Sequence, residues 1–232
     1  MKKPLRYALL ATMMSAITQQ AVAQENTSVN TKTIREMSGA TAVTSLSASK
    51  TALIVIDIQN EYFTGKMVIP DGMQALNNSK KLVNFAHQKG MPVFFVQHVG
   101  AKNDPLFAEG SVYAEFHKDL LPGANDITVK KATPSAFVGT SLDAQLKKRG
   151  INQLVVTGLM THMCVSSTAR DAVPLGYGVI IPEDATATRD LNDWQGGVVD
   201  HRVLQRAALT AVADVFAEIS TTERVLALPV EP

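Results

Sequence analysis

The stretch Leu154–Ala172, LVVTGLMTHMCVSSTARDA, decides how this chain folds. It opens with a short apolar run, Leu154–Val156, which is typical of a buried parallel strand. Gly158 interrupts the strand, and the residues from about 163 to 175 fit a helix. The only cysteine of the chain, Cys164, is therefore predicted at a strand-to-helix turn, in or near the first helical turn.

The position of Cys164 supports two interpretations. Unpaired backbone N–H groups and the positive end of the helix dipole favour a thiolate over a thiol, which predicts a nucleophile. The carboxyl end of a strand is also where open α/β sheets bind ligands. The alternative is a small buried hydrophobic residue, which is the usual role of cysteine. The position alone leaves both interpretations open.

Strands and helices are predicted to alternate on both sides of this stretch. Apolar runs typical of strands lie at 52–56, 92–98, 127–131, 154–156 and 179–181, with a last one at 217–221. Helical patterns lie at 74–89, 141–149, 163–175 and 198–216. This alternation predicts one α/β domain over residues 51–232, with helices on both faces of a mainly parallel sheet. The polar connection over 99–126 has the length of a binding loop or lid.

The N-terminal residues form a predicted signal peptide over 1–23. Three basic residues precede the apolar run Tyr7–Ile17, and Ala21–Val22–Ala23 supplies a small-x-small cleavage site. The run is too short for a membrane anchor, so we expect export to the periplasm or medium after cleavage near Ala23. An ordinary amphipathic N-terminal helix is the alternative. Residues 24–50 are polar and lack periodicity, which predicts a flexible or loosely docked lead-in.

Composition narrows the functional classes. The chain has 232 residues, of which 46% are hydrophobic, so it can bury a sizeable core. The net charge is +1 and there is no basic block, so nucleic acid is not an expected partner. An exported chain with a single cysteine cannot form an internal disulfide, and a free thiol outside the cell is a liability unless it is buried or used.

Three polar side chains follow or end predicted strands: Asp57, Lys131 and Cys164. Alternation from Ile127 onward places Lys131 on one face of its strand and points Lys130 the other way. Parallel strands bring all three tips to one edge of the sheet. A proton-accepting acid, a lysine that stabilises negative charge and a thiol are the groups that acyl transfer needs. Taken one at a time, each residue also has an ordinary structural role. Asp57 could be a turn residue, Lys131 a solvated surface residue and Cys164 a core residue.

Three ordered segments resemble the isochorismatase-like cysteine hydrolase superfamily, which includes nicotinamidases and N-carbamoylsarcosine amidohydrolases. They are ALIVIDIQNEYF from Ala52, KKATPSAFVGTSLDAQL from Lys130 and VVTGLMTHMCVSSTARDA from Val155, and the resemblance extends to about Ala187. The resemblance implies a single three-layer αβα, Rossmann-like domain with a six-stranded sheet.

The resemblance also assigns functional roles. It implies that Asp57, Lys131 and Cys164 form a catalytic triad. It further implies a cis peptide between Leu159 and Met160, with the N–H groups of Met160 and Cys164 forming an oxyanion hole.

The chain departs from two branches of this superfamily. Members that hydrolyse isochorismate carry a small residue in place of the cysteine, so Cys164 argues against that vinyl-ether chemistry. Metal-containing nicotinamidases carry an Asp-x-His and further histidines after the first motif, and no such cluster follows Asp57. We therefore expect neither a metal nor another cofactor.

Weaker candidates for contact with the substrate are Gln59, Asn60, Phe63, Phe137 and His162. Phe63 and Phe137 are equally consistent with the core. His98 ends a predicted strand, where lining the pocket and capping the strand are equally open roles.

The sequence therefore predicts an exported cysteine hydrolase that cleaves an amide or ureide-type C–N bond of a small molecule through a thioester. Neither nucleic acid nor a membrane is an expected partner, and the resemblance implies a homo-oligomer, a dimer or tetramer. Two other classes stay open: a non-catalytic small-molecule-binding protein of the same fold, and a redox-sensing thiol protein. The second would need a resolving cysteine to complete an internal cycle, and the chain has none.

Overall fold

Two apolar strands, Thr51–Ile56 and Gln153–Leu159, lie side by side at the centre of a parallel sheet. Every residue of the first strand is buried, and so is every residue of the second after Gln153. Such continuous burial is typical of strands covered by helices on both faces. The computed structural model describes residues 31–232.

The strands are β1 Leu46–Ser47, β2 Thr51–Ile56, β3 Val93–His98, β4 Ile127–Lys131, β5 Gln153–Leu159, β6 Gly178–Pro182, β7 Thr186–Ala187, β8 Leu191–Asn192, β9 Val198–Val199, β10 Glu218–Ser220 and β11 Val230–Glu231. The α-helices are α1 Ile34–Met37, α2 Gly72–Gln88, α3 Leu142–Lys148, α4 Ser166–Ala172, α5 His201–Ala213 and α6 Thr222–Leu226. A π-helical turn, Thr161–Val165, precedes α4.

The main sheet has the order β10-β6-β5-β2-β3-β4, with all neighbours parallel, and the short β7 pairs with β5 as a seventh strand. Successive side chains of a strand point to opposite faces, so the sheet separates two hydrophobic clusters. One contains Leu53 of β2 and packs against α2 and α6. The other contains Ile54 of β2 and packs against α3, α4 and α5. The prediction of a three-layer αβα domain is confirmed.

Of the lead-in predicted over 24–50, the part from residue 32 onward belongs to the compact unit Lys32–Pro232. The side chain of Leu46 is buried in the core, and β1 pairs in parallel with β11 at the other end of the chain. The burial of Leu46 and the pairing of β1 with β11 hold the end of this segment in place. The predicted signal peptide over 1–23 lies outside the described residues.

The last long helix begins later than the predicted range 198–216. Val198 and Val199 form β9, which pairs with β8 in a short antiparallel hairpin. α5 begins at His201 because the Asp200 side chain accepts a hydrogen bond from the backbone N–H of Arg202 at 2.8 Å. Asp is a favoured residue at this capping position. Within residues 31–232, none of the helices has both the length and the apolar character needed to cross a bilayer.

Candidate active site

Asp57 lies directly after β2, at the centre of the carboxyl edge of the sheet. Its φ is 51°, in the left-handed region that a non-glycine residue seldom adopts. The side chain is fully buried. Such a conformation costs about 1–3 kcal/mol and is found mainly at functional sites, where surrounding structure maintains it. The conformation turns the chain sharply at the strand tip.

Gly158 of β5 makes this turn possible. It pairs with Ile56, the residue before Asp57, and its φ is 111°. A Cβ atom at Gly158 would lie 1.9 Å from the carbonyl oxygen of Ile56, so no other residue fits here. β2 and β5 therefore approach closely just before their two functional ends. The next peptide bond of β5, between Leu159 and Met160, is cis, as the resemblance implied.

Lys131 brings an ammonium group to the same point. It is buried at the end of β4 while Lys130 is exposed, as the alternation predicted. The Nζ of Lys131 lies 2.7 Å from Oδ2 of Asp57 and donates to Sγ of Cys164 at 3.3 Å. The structure thus brings together the three side chains that the sequence singled out, with Lys131 joined to Asp57 by an ion pair and to Cys164 by a hydrogen bond.

Cys164 lies in the π-helical turn before α4, and the residue is only 3% exposed. π-turns are rare and are frequently found at functional sites. Burial, the negative charge of Asp57 and a hydrogen bond to that carboxylate raise the pKa of the Cys164 thiol to about 12, although Lys131 acts in the opposite direction. Burial and the neighbouring Asp57 therefore favour the thiol form of Cys164. This direction is opposite to that of the helix terminus, which favours a thiolate.

His98, at the end of β3, completes the group. Ligand atoms of Asp57, His98 and Cys164 lie within 4.8 Å of one another, a spacing that could suit a metal ion. However, Nζ of Lys131 also contacts His98, at 2.9 Å from its Nδ1. The ammonium group therefore contacts all three potential ligands, and a metal ion between them would meet this positive charge.

The connection over 99–126 covers this edge of the sheet. The N–H of Gly100 donates to the carbonyl of Phe107 at 2.9 Å, which closes a small loop. The ring of Phe107 lies 4.9 Å from that of His98 and 5.3 Å from that of Tyr62. The loop thus packs directly on one member of the polar group.

Two of the weaker candidates, Gln59 and Asn60, use their amides within the protein. The Nε2 group of Gln59 donates to the carbonyls of His98 and Ala114, at 2.8 and 2.6 Å, and Oε1 accepts from the N–H of His98 at 2.8 Å. The side chain of Asn60 donates to the carbonyl of Val112 at 2.9 Å. Gln59 therefore supports the end of β3, a role that its position after Asp57 did not indicate.

The other three weaker candidates lie in different surroundings. Phe63 packs on the ring of His117 at 4.4 Å. Phe137 stacks on Tyr177 and belongs to the periphery of the cluster below α3, α4 and α5, which supports its alternative reading as a core residue. His162 shares a hydrogen bond with Thr188, and burial lowers the pKa of its imidazole.

The sequence placed His98 at a strand tip, with a pocket-lining and a capping role both open, but did not assign it to the polar group. The signal was present, since His98 ends a strand whose neighbour ends in Lys131, and the two residues are register partners. Register between strands cannot be deduced from alternation within each of them.

Comparisons with known proteins agree on one family. The family model described as the Isochorismatase domain matches residues 51–224. An uncharacterized isochorismatase family protein, YddQ of Bacillus subtilis, is 37% identical over 76% of this chain and 98% of its own length. The secreted isochorismatase effector Isc1 of Verticillium dahliae is 33% identical over 76% of this chain and 90% of its own. A streptothricin hydrolase of Streptomyces noursei is 32% identical over 77% of this chain and 64% of its own.

Solved structures show the same fold. An isochorismatase of Pseudomonas putida superposes with a TM-score of 0.78 at 31% identity, over 84% of this chain and 98% of that one. N-carbamoylsarcosine amidase of Thermoplasma acidophilum superposes with a TM-score of 0.65 at 28% identity, over 75% of this chain and 97% of that one.

Proposed function

The chain belongs to the isochorismatase family, and on this basis we propose that it is an exported cysteine hydrolase that cleaves an amide or ureide-type C–N bond of a small molecule. The observation that supports this most directly is the contact of the Lys131 ammonium with both Asp57, at 2.7 Å, and Cys164, at 3.3 Å. A base, a cation and a thiol in one buried group are the parts of a nucleophilic acyl transfer.

The first half of the reaction transfers an acyl group to Cys164. As the sulfur attacks the substrate carbonyl carbon, Asp57 accepts the thiol proton, so that a free thiolate is never required. This coupling suits a thiol whose pKa is raised to about 12. The tetrahedral oxyanion accepts hydrogen bonds from the N–H groups of Met160 and Cys164, a role that rests on the family resemblance. The C–N bond then breaks, Asp57 returns the proton to the nitrogen, and the amine or ammonia leaves.

The second half releases the acid. Water attacks the thioester carbonyl while Asp57 accepts one of its protons, the C–S bond breaks, and Cys164 recovers its proton from Asp57. Lys131 stabilises the carboxylate and the negative charge that develops on the sulfur while its bonds form and break. No step requires a metal ion, and the position between the three potential ligands already holds the ammonium of Lys131.

The name of one relative favours a C–N bond as the target, because it is an N-carbamoylsarcosine amidase. A second relative, the streptothricin hydrolase, is named as a hydrolase without its bond. The non-catalytic alternative predicts that a ligand binds but is never converted. The redox alternative predicts reversible oxidation of Cys164 without turnover. Turnover of any amide by the purified protein would separate hydrolysis from both.

The deciding experiment is a screen of small amides, ureides and N-carbamoyl compounds with purified mature protein, recording ammonia release. Cys164→Ala, purified in the same way, is the matched control for a contaminating amidase. We expect at least one compound to be hydrolysed by the wild type and not by the variant. Equal rates for both proteins would contradict the proposed function.

Export is a separate part of the proposal. It is supported by the order of basic, apolar and small residues over 1–23 and by the secreted relative Isc1. N-terminal sequencing of protein recovered outside the cytoplasm should read Gln24 first. Recovery of a chain that still begins at Met1 would contradict export.

We also propose a homo-oligomer, a dimer or tetramer, which light scattering of the mature protein would test.

A further inference from the structure

Four neighbouring strands each deliver one polar group to the same point. In the sheet order β5, β2, β3, β4, the groups are Cys164, Asp57, His98 and Lys131. Lys131 lies at the end of β4, and its Nζ contacts Asp57, which directly follows β2. Because β3 lies between these two strands, the lysine side chain passes the end of β3. His98 is its register partner on that intervening strand. The imidazole therefore lies beside the path that the lysine must follow.

The contacts of the Lys131 ammonium determine the protonation state of this imidazole. An ammonium group has three N–H donors and no acceptor. Its contacts are Oδ2 of Asp57 at 2.7 Å, Nδ1 of His98 at 2.9 Å and Sγ of Cys164 at 3.3 Å. Nδ1 must therefore accept, which places the ring proton on Nε2 and leaves His98 neutral.

His98 is held in this orientation from two other sides. The Gln59 amide bonds to both the N–H and the carbonyl of His98, each at 2.8 Å, and so fixes its backbone. The ring of Phe107 packs on the imidazole at 4.9 Å. Burial is the main cause that lowers the pKa of His98. Of the two charged groups that face the ring, Lys131 lowers this pKa further and Asp57 raises it, so the net shift is downward.

We propose that His98 is a positioning residue of this hydrolase: its neutral imidazole accepts the third N–H of Lys131 and holds the ammonium between Asp57 and Cys164. The role of His98 in turnover rests on the proposed function, whereas the hydrogen-bond arrangement does not. A protonated His98 would present an N–H of Nδ1 to the ammonium. Lys131 would then lose Nδ1 as an acceptor and would be displaced from its place between Asp57 and Cys164. Activity should therefore fall at low pH, as His98 takes up a proton.

The test compares two amides that differ by one methylene. In His98→Asn, the side-chain oxygen can take the place of Nδ1, whereas in His98→Gln it lies further along, nearer to the place of Nε2. We expect His98→Asn to retain kcat within about threefold and His98→Gln to lose roughly 100-fold with little change in KM, since small displacements of catalytic groups cost this much. The acid limb of the pH profile should move to lower pH in His98→Asn, which cannot take up the proton.

Two readouts do not depend on turnover. In protein labelled with ¹⁵N-histidine, the imidazole signals should show a proton on Nε2 of His98 at pH 7, assigned among the five histidines by their loss in His98→Asn. Alkylation of Cys164 should be slower in His98→Gln than in His98→Asn, because a displaced ammonium no longer favours the thiolate.

The outcomes separate the two proposals. A proton on Nδ1, a doubly protonated ring at pH 7, or equal alkylation and turnover in the Asn and Gln variants would overturn the role of His98. A wild-type protein that hydrolyses nothing while the ¹⁵N signals and alkylation rates follow expectation would overturn the proposed function alone. Thermal unfolding of both variants shows whether each is folded, and the ¹⁵N measurement on the wild type decides the tautomer in either case.

Discussion

The Nζ of Lys131 and Oδ2 of Asp57 lie 2.7 Å apart, and neither side chain is exposed to solvent. Removing two charges from water costs several kcal/mol each, and their attraction repays this only when the geometry is good. Here Nζ of Lys131 also contacts Cys164 and His98, so the ammonium has an ion pair on one side and two polar partners on the others. The pair would be the electrostatic framework of the proposed reaction centre.

The two adjacent lysines of β4 should respond differently to substitution. Lys131→Met removes the ammonium and leaves the Asp57 carboxylate buried without its partner, so we expect kcat to fall by at least about 100-fold. The free energy of unfolding should decrease by about 3–5 kcal/mol at neutral pH. Lys130→Met, on the exposed face, should change the free energy of unfolding by less than about 0.5 kcal/mol and leave kcat unaffected. Steady-state kinetics and urea unfolding measure both effects, and the opposite ranking would contradict the assigned strand face.

The convergence of Asp57, Lys131 and Cys164 could be predicted from sequence because each residue has a local signal. Asp57 ends a continuous apolar run, Lys131 shares the buried face of Val129, and Cys164 follows a glycine-interrupted strand. The parallel sheet then brings the three strand ends together. Neither the local sequence signals nor the convergence of parallel strand ends depends on knowing which side chains are in contact.

Other features depend on contacts between distant segments. β1 forms only because β11 offers it a partner, about 180 residues later in the chain. The amide of Gln59 was expected to face the substrate, yet it bonds to the backbone of His98. The raised pKa of the Cys164 thiol follows mainly from its burial, which the amino-acid pattern around it does not reveal.

Alkylation of Cys164 should depend steeply on pH. Because the pKa of the folded thiol is raised to about 12, we expect the rate with iodoacetamide to rise about tenfold per pH unit up to at least pH 10. The same chain unfolded in urea should level off near the ordinary thiol value of 9.0. Mass spectrometry at timed intervals gives both curves. A folded-state rate that is already constant above pH 8 would show that a thiolate is present at rest.

Gly158 should tolerate alanine much less than Gly176 does. Both have positive φ, 111° and 94°, so alanine introduces backbone strain of about 1–2 kcal/mol at either position. Only at Gly158 would the Cβ also collide with the carbonyl oxygen of Ile56, at 1.9 Å, whereas Gly176 has nothing within 4 Å. We expect Gly158→Ala to lower the free energy of unfolding by about 2 kcal/mol more than Gly176→Ala, as overpacking does. Urea unfolding of the two variants measures the difference, and equal losses would contradict the close approach of β2 and β5.

The strongest test of the mechanism is the covalent intermediate. If the Cys164 sulfur attacks the carbonyl carbon, a slowly hydrolysed substrate quenched in acid should leave its acyl mass on the peptide that contains Cys164. Cys164→Ala should fold, because loss of one sulfur from this turn costs about 1 kcal/mol of packing, yet lose turnover on the order of 10⁴-fold or more. A redox-sensing thiol would also react with iodoacetamide, so alkylation does not distinguish the two roles, whereas an acyl adduct does. Substantial hydrolysis by Cys164→Ala of a substrate that the wild type turns over would show that the thiol is not the nucleophile.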